Sequence, residues 1–140
     1  MGKEAVRLEG RVIRTGRAEG IALVSSEPIG FLGGVDPDTG IVIEPGHPLQ
    51  GQDITGRVLV FPSGKGSTVG SYTILRLRYS GHAPAAMINR ESEAIVAVGA
   101  ILADIPMVDQ VDIERIRTGD WVRVENGVVM VWRDEDEVSA

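Results

Sequence analysis

Apolar positions in this chain fall in short runs divided by glycine, and few of them keep helical spacing for long. In the first half, Val6–Ile13 and Gly20–Ser25 read as short strands around a turn at Thr15-Gly16-Arg17. From Glu27 to about Asp53, Gly33-Gly34, Asp36-Pro37, Thr39-Gly40, Pro45-Gly46 and His47-Pro48 predict a long loop. Phe31, Leu32, Val35 and the run Ile41–Ile43 are the residues able to anchor it. Loops of this length in a compact domain are usually functional or mobile.

The middle of the chain alternates. A fully apolar strand, Val58–Phe61, is followed by a helix over about Thr68–Tyr79 that Gly81 ends, then by a short strand, Ala85–Ile88. A second helix spans Glu91–Ala103, with acidic residues at its start and Ile95, Val98 and Leu102 on one stripe. Ile105-Pro106 stops it, and Met107–Val108 resumes an extended course. This β-α-β-α-β order predicts a parallel sheet with crossover helices. Strands Trp121–Glu125 and Val128–Trp132 flank Asn126-Gly127, a strong hairpin signal. The fold class is therefore α/β, with a mixed central sheet, a β-rich layer and helices on one side. Residues 1–133 form a single domain and Asp134–Ala140 a solvated acidic tail.

Composition narrows what such a domain does. A net charge of −6 disfavours general attraction to nucleic acid or an anionic membrane. The chain has no cysteine, which excludes disulfides, thiolate nucleophiles and any iron–sulfur cluster held by its own thiolates. It has no apolar leader region and no apolar run long enough to span a bilayer, so a cytoplasmic location is expected.

Chemistry concentrates at Gly56–Ser71, G-R-V-L-V-F-P-S-G-K-G-S-T-V-G-S. A buried strand runs into a glycine-rich turn carrying Lys65, Ser67 and Thr68 at a helix start, where unpaired amides and the helix dipole favour anions. It is not a Walker loop, since Lys65 is followed by Gly66 and position 59 is not glycine. Nor is it a nucleophile elbow, which needs Gly-x-Ser-x-Gly. An arbitrary Gly-Ser-Thr is first of all a helix cap. A catalytic Ser67 needs an alkoxide made affordable by clustered amides, Lys65 and a bound substrate. Elsewhere, His47 and His82 stand 35 positions apart and make a poor metal pair. Asp36 and Asp38 sit in a turn-forming Asp-Pro-Asp-x-Gly, Arg11, Arg14 and Arg17 read as a solvated rim, and Trp121 and Trp132 as packing within the terminal hairpin.

Four segments together resemble one family: F-L-G-G-V-D-P-D-T-G (Phe31–Gly40), G-R-V-L-V-F-P-S-G-K-G-S-T-V-G-S-Y (Gly56–Tyr72), H-A-P-A-A-M-I (His82–Ile88) and A-V-G-A-I-L-A-D-I-P (Ala97–Pro106). Over roughly Val6–Gly127 the chain is similar to the small subunit of aconitase X. The resemblance implies the swivelling β/β/α domain of aconitases, paired in a heterodimer with a large subunit that carries an iron–sulfur cluster. It implies a hydro-lyase that in archaea dehydrates (R)-5-phosphomevalonate to trans-anhydromevalonate 5-phosphate. In the aconitase scheme a swivel-domain serine takes the proton while the cluster's open iron takes the hydroxyl; by motif position that serine is Ser67. Lys65, Gly66 and Thr68, with Gly33, Gly34 and Asp36 of the other motif, are then expected at the substrate, and this chain itself holds no metal or cofactor.

Bacterial relatives dehydrate cis-3-hydroxy-L-proline and carry serine-rich sequence after the Gly-Ser. Here Thr68-Val69-Gly70-Ser71-Tyr72 follows, which resembles the archaeal type. Two other classes stand beside this one. The C-terminal order also resembles the phosphohistidine domain of phosphotransferases, but Glu91-Ser92-Glu93 stands where a Thr-Ser-His is required. A non-catalytic interaction subunit, with Ser67 only a cap, is the remaining alternative.

Overall fold

The computed structural model describes residues 3–134. Eight strands form a mixed sheet: β1 (Lys3–Glu9), β2 (Arg11–Arg14), β3 (Arg17–Val24), β4 (Val58–Phe61), β5 (Ala86–Asn89), β6 (Met107–Asp109), β7 (Trp121–Glu125) and β8 (Val128–Asp134). Their spatial order is β1-β8-β7-β3-β4-β5-β6-β2. Helices α1 (Gly70–Ser80) and α2 (Ala94–Leu102) are the crossovers between β4, β5 and β6, which run parallel as the alternation of the sequence requires. The expected acidic tail lies, beyond Asp134, outside the described residues.

The predicted strand Val6–Ile13 is in fact two. Gly10 divides it, sending β1 to pair with β8 at one edge of the sheet and β2 to pair with β6 at the other. One residue cannot separate two edges by more than about 7.6 Å, so the sheet curls until they meet. Gly10 touches both edges: its amide donates to Gly127 O at 2.9 Å, and a Cβ there would lie 2.3 Å from Asp109 O. Only glycine fits that corner. The strand predicted from Gly20 starts earlier, at Arg17, because the first half of β3 pairs antiparallel with β7 before its second half pairs parallel with β4.

Because the sheet is covered on both faces, β4 and β5 are buried at every position. Inside the curl lie Val58, Val60, Ala86, Ile88, Val122 and Val131 among others. On the outer face, Leu59, Phe61 and Met87 meet Ile74 and Leu77 of α1, Val96 and Ala100 of α2, and the long loop. Both helices thus lie on one side. Phe31, Val35 and Val42 anchor the loop as expected, whereas Leu32 and Ile43 are half-exposed.

The helices bury other stripes than their sequences advertise. In α1 the inward residues are Gly70, Ser71, Thr73, Ile74 and Leu77, leaving Val69, Tyr72 and Tyr79 exposed. In α2 the inward residues are Val96, Gly99 and Ala100, and the stripe Ile95, Val98, Leu102 faces away from the sheet. Gly99 decides this: a Cβ there would come within 2.5 Å of Ile74 Cδ1, so its bare backbone is where α1 packs closest. Gly81 closes α1 in the left-handed conformation (φ 83°) with its amide on Arg78 O, as the sequence predicts.

Candidate active site: the Lys65–Val69 turn

Strand β4 carries the chain to the carboxyl end of the parallel strands, the edge where ligands bind in α/β sheets. There the burial pattern inverts. Phe61 and Gly70 are buried, but Lys65, Gly66, Ser67, Thr68 and Val69 are all exposed. The helix begins at Gly70 rather than Thr68, so Ser67 precedes it by three residues and Val69 takes the N-cap position with no side-chain cap. Ser67 Oγ accepts the Val69 amide at 3.2 Å and Ser67 O accepts the Gly70 amide at 2.9 Å.

Three successive amides, those of Gly66, Ser67 and Thr68, donate to no acceptor among the described residues. Gly66 has φ +95°, the left-handed region that folds successive amides into an anion-binding concavity. The first turn of α1 carries no acidic residue to offset its dipole. An oxyanion placed here meets three amide donors. The Lys65 ammonium is paired with Glu44, Nζ 2.9 Å from Oε2.

The second wall is the loop Ile29–Gly34. Ile29 N donates to Ser63 O and Lys65 N to Ile29 O, both at 3.1 Å, which docks the loop along the turn. A Cβ on Gly34 would lie 1.9 Å from Gly30 O, and one on Gly30 3.2 Å from Lys65 O. Gly33 (φ +80°) has open space around it. Ile29, Gly30 and Leu32 are therefore the loop residues that stand against the turn, and Gly33 and Gly34 follow them in the same loop. Asp36 is not: its Oδ1 accepts the Asp38 amide at 2.9 Å, and neighbouring Pro37 O takes the Ser80 hydroxyl at the far end of α1.

Sequence reasoning missed two carboxylates. Glu44, 21 residues from Lys65, fixes its ammonium. Glu93 sends a buried Oε1, with no hydrogen-bond partner among the described residues, toward Gly64, 2.9 Å from where a Cβ would stand. No local pattern announces either, since each is made by a loop meeting another.

The remaining candidates are structural. His47 is buried, its Nε2 donating to Pro28 O and its Nδ1 accepting from Leu49 N, each at 3.0 Å. His82 Nδ1 hydrogen-bonds Thr55 Oγ1 at 3.0 Å. Arg11 is not solvated rim: it grips Asp109 with two bonds of 3.0 and 2.7 Å. Burial alone pushes the Asp109 carboxyl up, but hydrogen bonds from Arg11 and the Ser92 amide outweigh it and hold it below its ordinary value. Arg14 pairs with Asp104, and Arg17 lies near Glu19 and Glu125. Trp121 and Trp132 face each other across the terminal hairpin, and Trp121 Nε1 donates to Glu19 Oε1. Among the described residues no group of three or more His, Asp or Glu is placed to hold a metal ion, and with no cysteine the chain does not fit an iron–sulfur cluster.

A swivel-type α/β domain that holds out a serine on an unpaired amide turn is the class that fold and site define together. The chain belongs to the aconitase X swivel domain family, which matches residues 7–131. It is 53% identical over 131 residues to the phosphomevalonate dehydratase small subunit of Thermococcus kodakarensis, covering 92% of this chain and 98% of that one. It is 57% identical over 123 residues to the protein of the same name from Methanocella arvoryzae, covering 86% and 93%. The crystal structure of Thermococcus kodakaraensis aconitase X in its holo form superposes with a TM-score of 0.89 at 53% identity, over 90% of this chain and 98% of that one.

Proposed function

We propose that this chain is the small subunit of a phosphomevalonate dehydratase, active with a large subunit, and that Ser67 is its proton acceptor. What carries the reading is the Ser67 turn itself: an exposed hydroxyl that receives the Val69 amide, beside three amides with no acceptor among the described residues. The family and the names of its relatives supply the substrate class.

A free serine hydroxyl is a weak base, so the alkoxide must be stabilised where it forms. The Val69 N–H already points at Oγ, and the dipole of α1 adds positive potential. Lys65 and the amides of Gly66 and Thr68 hold a substrate carboxylate, with Gly33 and Gly34 leaving the second wall bare enough for it to approach. The Ser67 alkoxide takes the proton next to that carboxylate, the electrons of that bond form the double bond as hydroxide leaves the adjacent carbon, and passage of the proton from Ser67 to the hydroxide gives water and restores the alkoxide. An iron–sulfur cluster in the large subunit would supply a Lewis acid for the leaving hydroxyl. A role for Asp36 at the substrate would need the loop to move, because its side chain is held within its own turn. In the described residues no helix is long and apolar enough to cross a membrane.

The test is reconstitution with the large subunit. (R)-5-phosphomevalonate should yield trans-anhydromevalonate 5-phosphate, while cis-3-hydroxy-L-proline should not turn over. Dehydration of the proline alone would overturn the substrate.

A further inference from the structure

Helix α2 reads Ala-Ile-Val-Ala-Val-Gly-Ala-Ile-Leu, nine positions without a polar side chain. A helix that is hydrophobic all round is a buried helix. In this chain it is buried on one face only. Val98, Ile101 and Leu102 are each about half-exposed (47%, 53% and 47%), and Tyr72 of α1 beside them is 63% exposed. Between the two helices runs an apolar groove of about 300 Å³, walled by Tyr72, Ile95, Val98 and Leu102 and ending at Thr68.

We infer that this α1–α2 face is the docking surface for the large subunit. The inference rests on the function proposed above and adds where the partner sits. Thr68 selects the occupant, because it belongs to both the groove and the Ser67 turn. Exposed Leu32 and Val69 extend the apolar surface around that turn, and Gly70 lies 3.7 Å by its would-be Cβ from Leu32 N. A body that completes the site at Ser67 arrives over this patch. Of the other exposed apolar side chains, Val12, Ile21 and Trp121 lie on strands of the sheet, Ile43 in the long loop and Tyr79 near the end of α1, and none of them lines this groove. A second copy of this chain on the groove would instead cover the turn and shut the site.

The experiment measures association of purified small and large subunits by calorimetry, without substrate. The double variant Val98→Asp, Ile101→Asp should bind at least about 30-fold more weakly, the loss expected when a central apolar contact is removed. Circular dichroism and the melting temperature of the isolated chain check that it folds. Tyr72→Asp, on the other wall, should give the same loss without touching α2, and Ile21→Asp should bind like wild type. Wild-type affinity in both the double variant and Tyr72→Asp would overturn the inference. So would a dimer of the isolated chain that the double variant breaks while large-subunit binding persists. Because association is read apart from turnover, a complex that assembles but does not dehydrate phosphomevalonate counts against the function and leaves the docking face standing.

Discussion

Two glycine corners of this molecule solve opposite problems. At Gly10 the backbone is used up: its amide is on Gly127 O, its missing Cβ is the space Asp109 O and Val111 occupy, and next to it Arg11 closes on buried Asp109. At Gly66 the backbone is left open: three amides in a row lack acceptors among the described residues, and the five residues Lys65–Val69 stand in solvent. The first corner joins the two edges of a curled sheet and contributes stability. The second leaves its donors unpaired, at a cost in local satisfaction that the buried strand before it and the packed helix after it can bear.

Substitutions should separate the two, beginning with the largest change in stability. Gly10→Ala drives a methyl into a main-chain oxygen and should destabilise by about 3 kcal/mol, the upper end of overpacking costs, read by urea unfolding. Asp109→Ala strands the Ser92 amide and frees Arg11 to water, for a loss of about 1–3 kcal/mol. Asp109 also gives a pH signature. Its folded pKa is lowered, so its contribution is complete above the unfolded value of about 3.9 and fades as pH falls through the folded one. Acid unfolding of wild type should therefore steepen below about pH 4, and Asp109→Asn should flatten that window. At the other corner, Gly66→Ala meets no atom closer than 3.9 Å, so its cost is the strain of φ +95°, about 1–2 kcal/mol. Ser67→Ala should change stability by less than about 0.5 kcal/mol, since the hydroxyl is exposed and holds a single amide. If Ser67→Ala proved as damaging as Gly10→Ala, the contrast between the corners would fail.

Much of the fold was legible because local patterns agree with it. The apolar run Val58–Phe61, the Asn126-Gly127 hairpin, the Gly81 stop and the alternation of strands and helices all carry their own signals. The Gly10 corner carried none. An unbroken strand pattern runs across Val6–Ile13, and only the distant oxygen of Asp109 explains the break. The stripe of α2 misled for a different reason: where nearly every position is apolar, periodicity cannot say which face is inward, and Gly99 against Ile74 settles it. At the site, the glycine-rich turn and its exposed serine were readable. Glu44 and Glu93 were not, because loops far apart in sequence bring them there.

The central claim is that Ser67 takes the proton, and the reconstituted enzyme tests it. Turnover of (R)-5-phosphomevalonate by the Ser67→Ala complex should fall at least about 10³-fold, within the range general-base catalysis supplies, with association of the subunits unchanged. A complex of Ser67→Ala that assembles and turns over at the wild-type rate would contradict it.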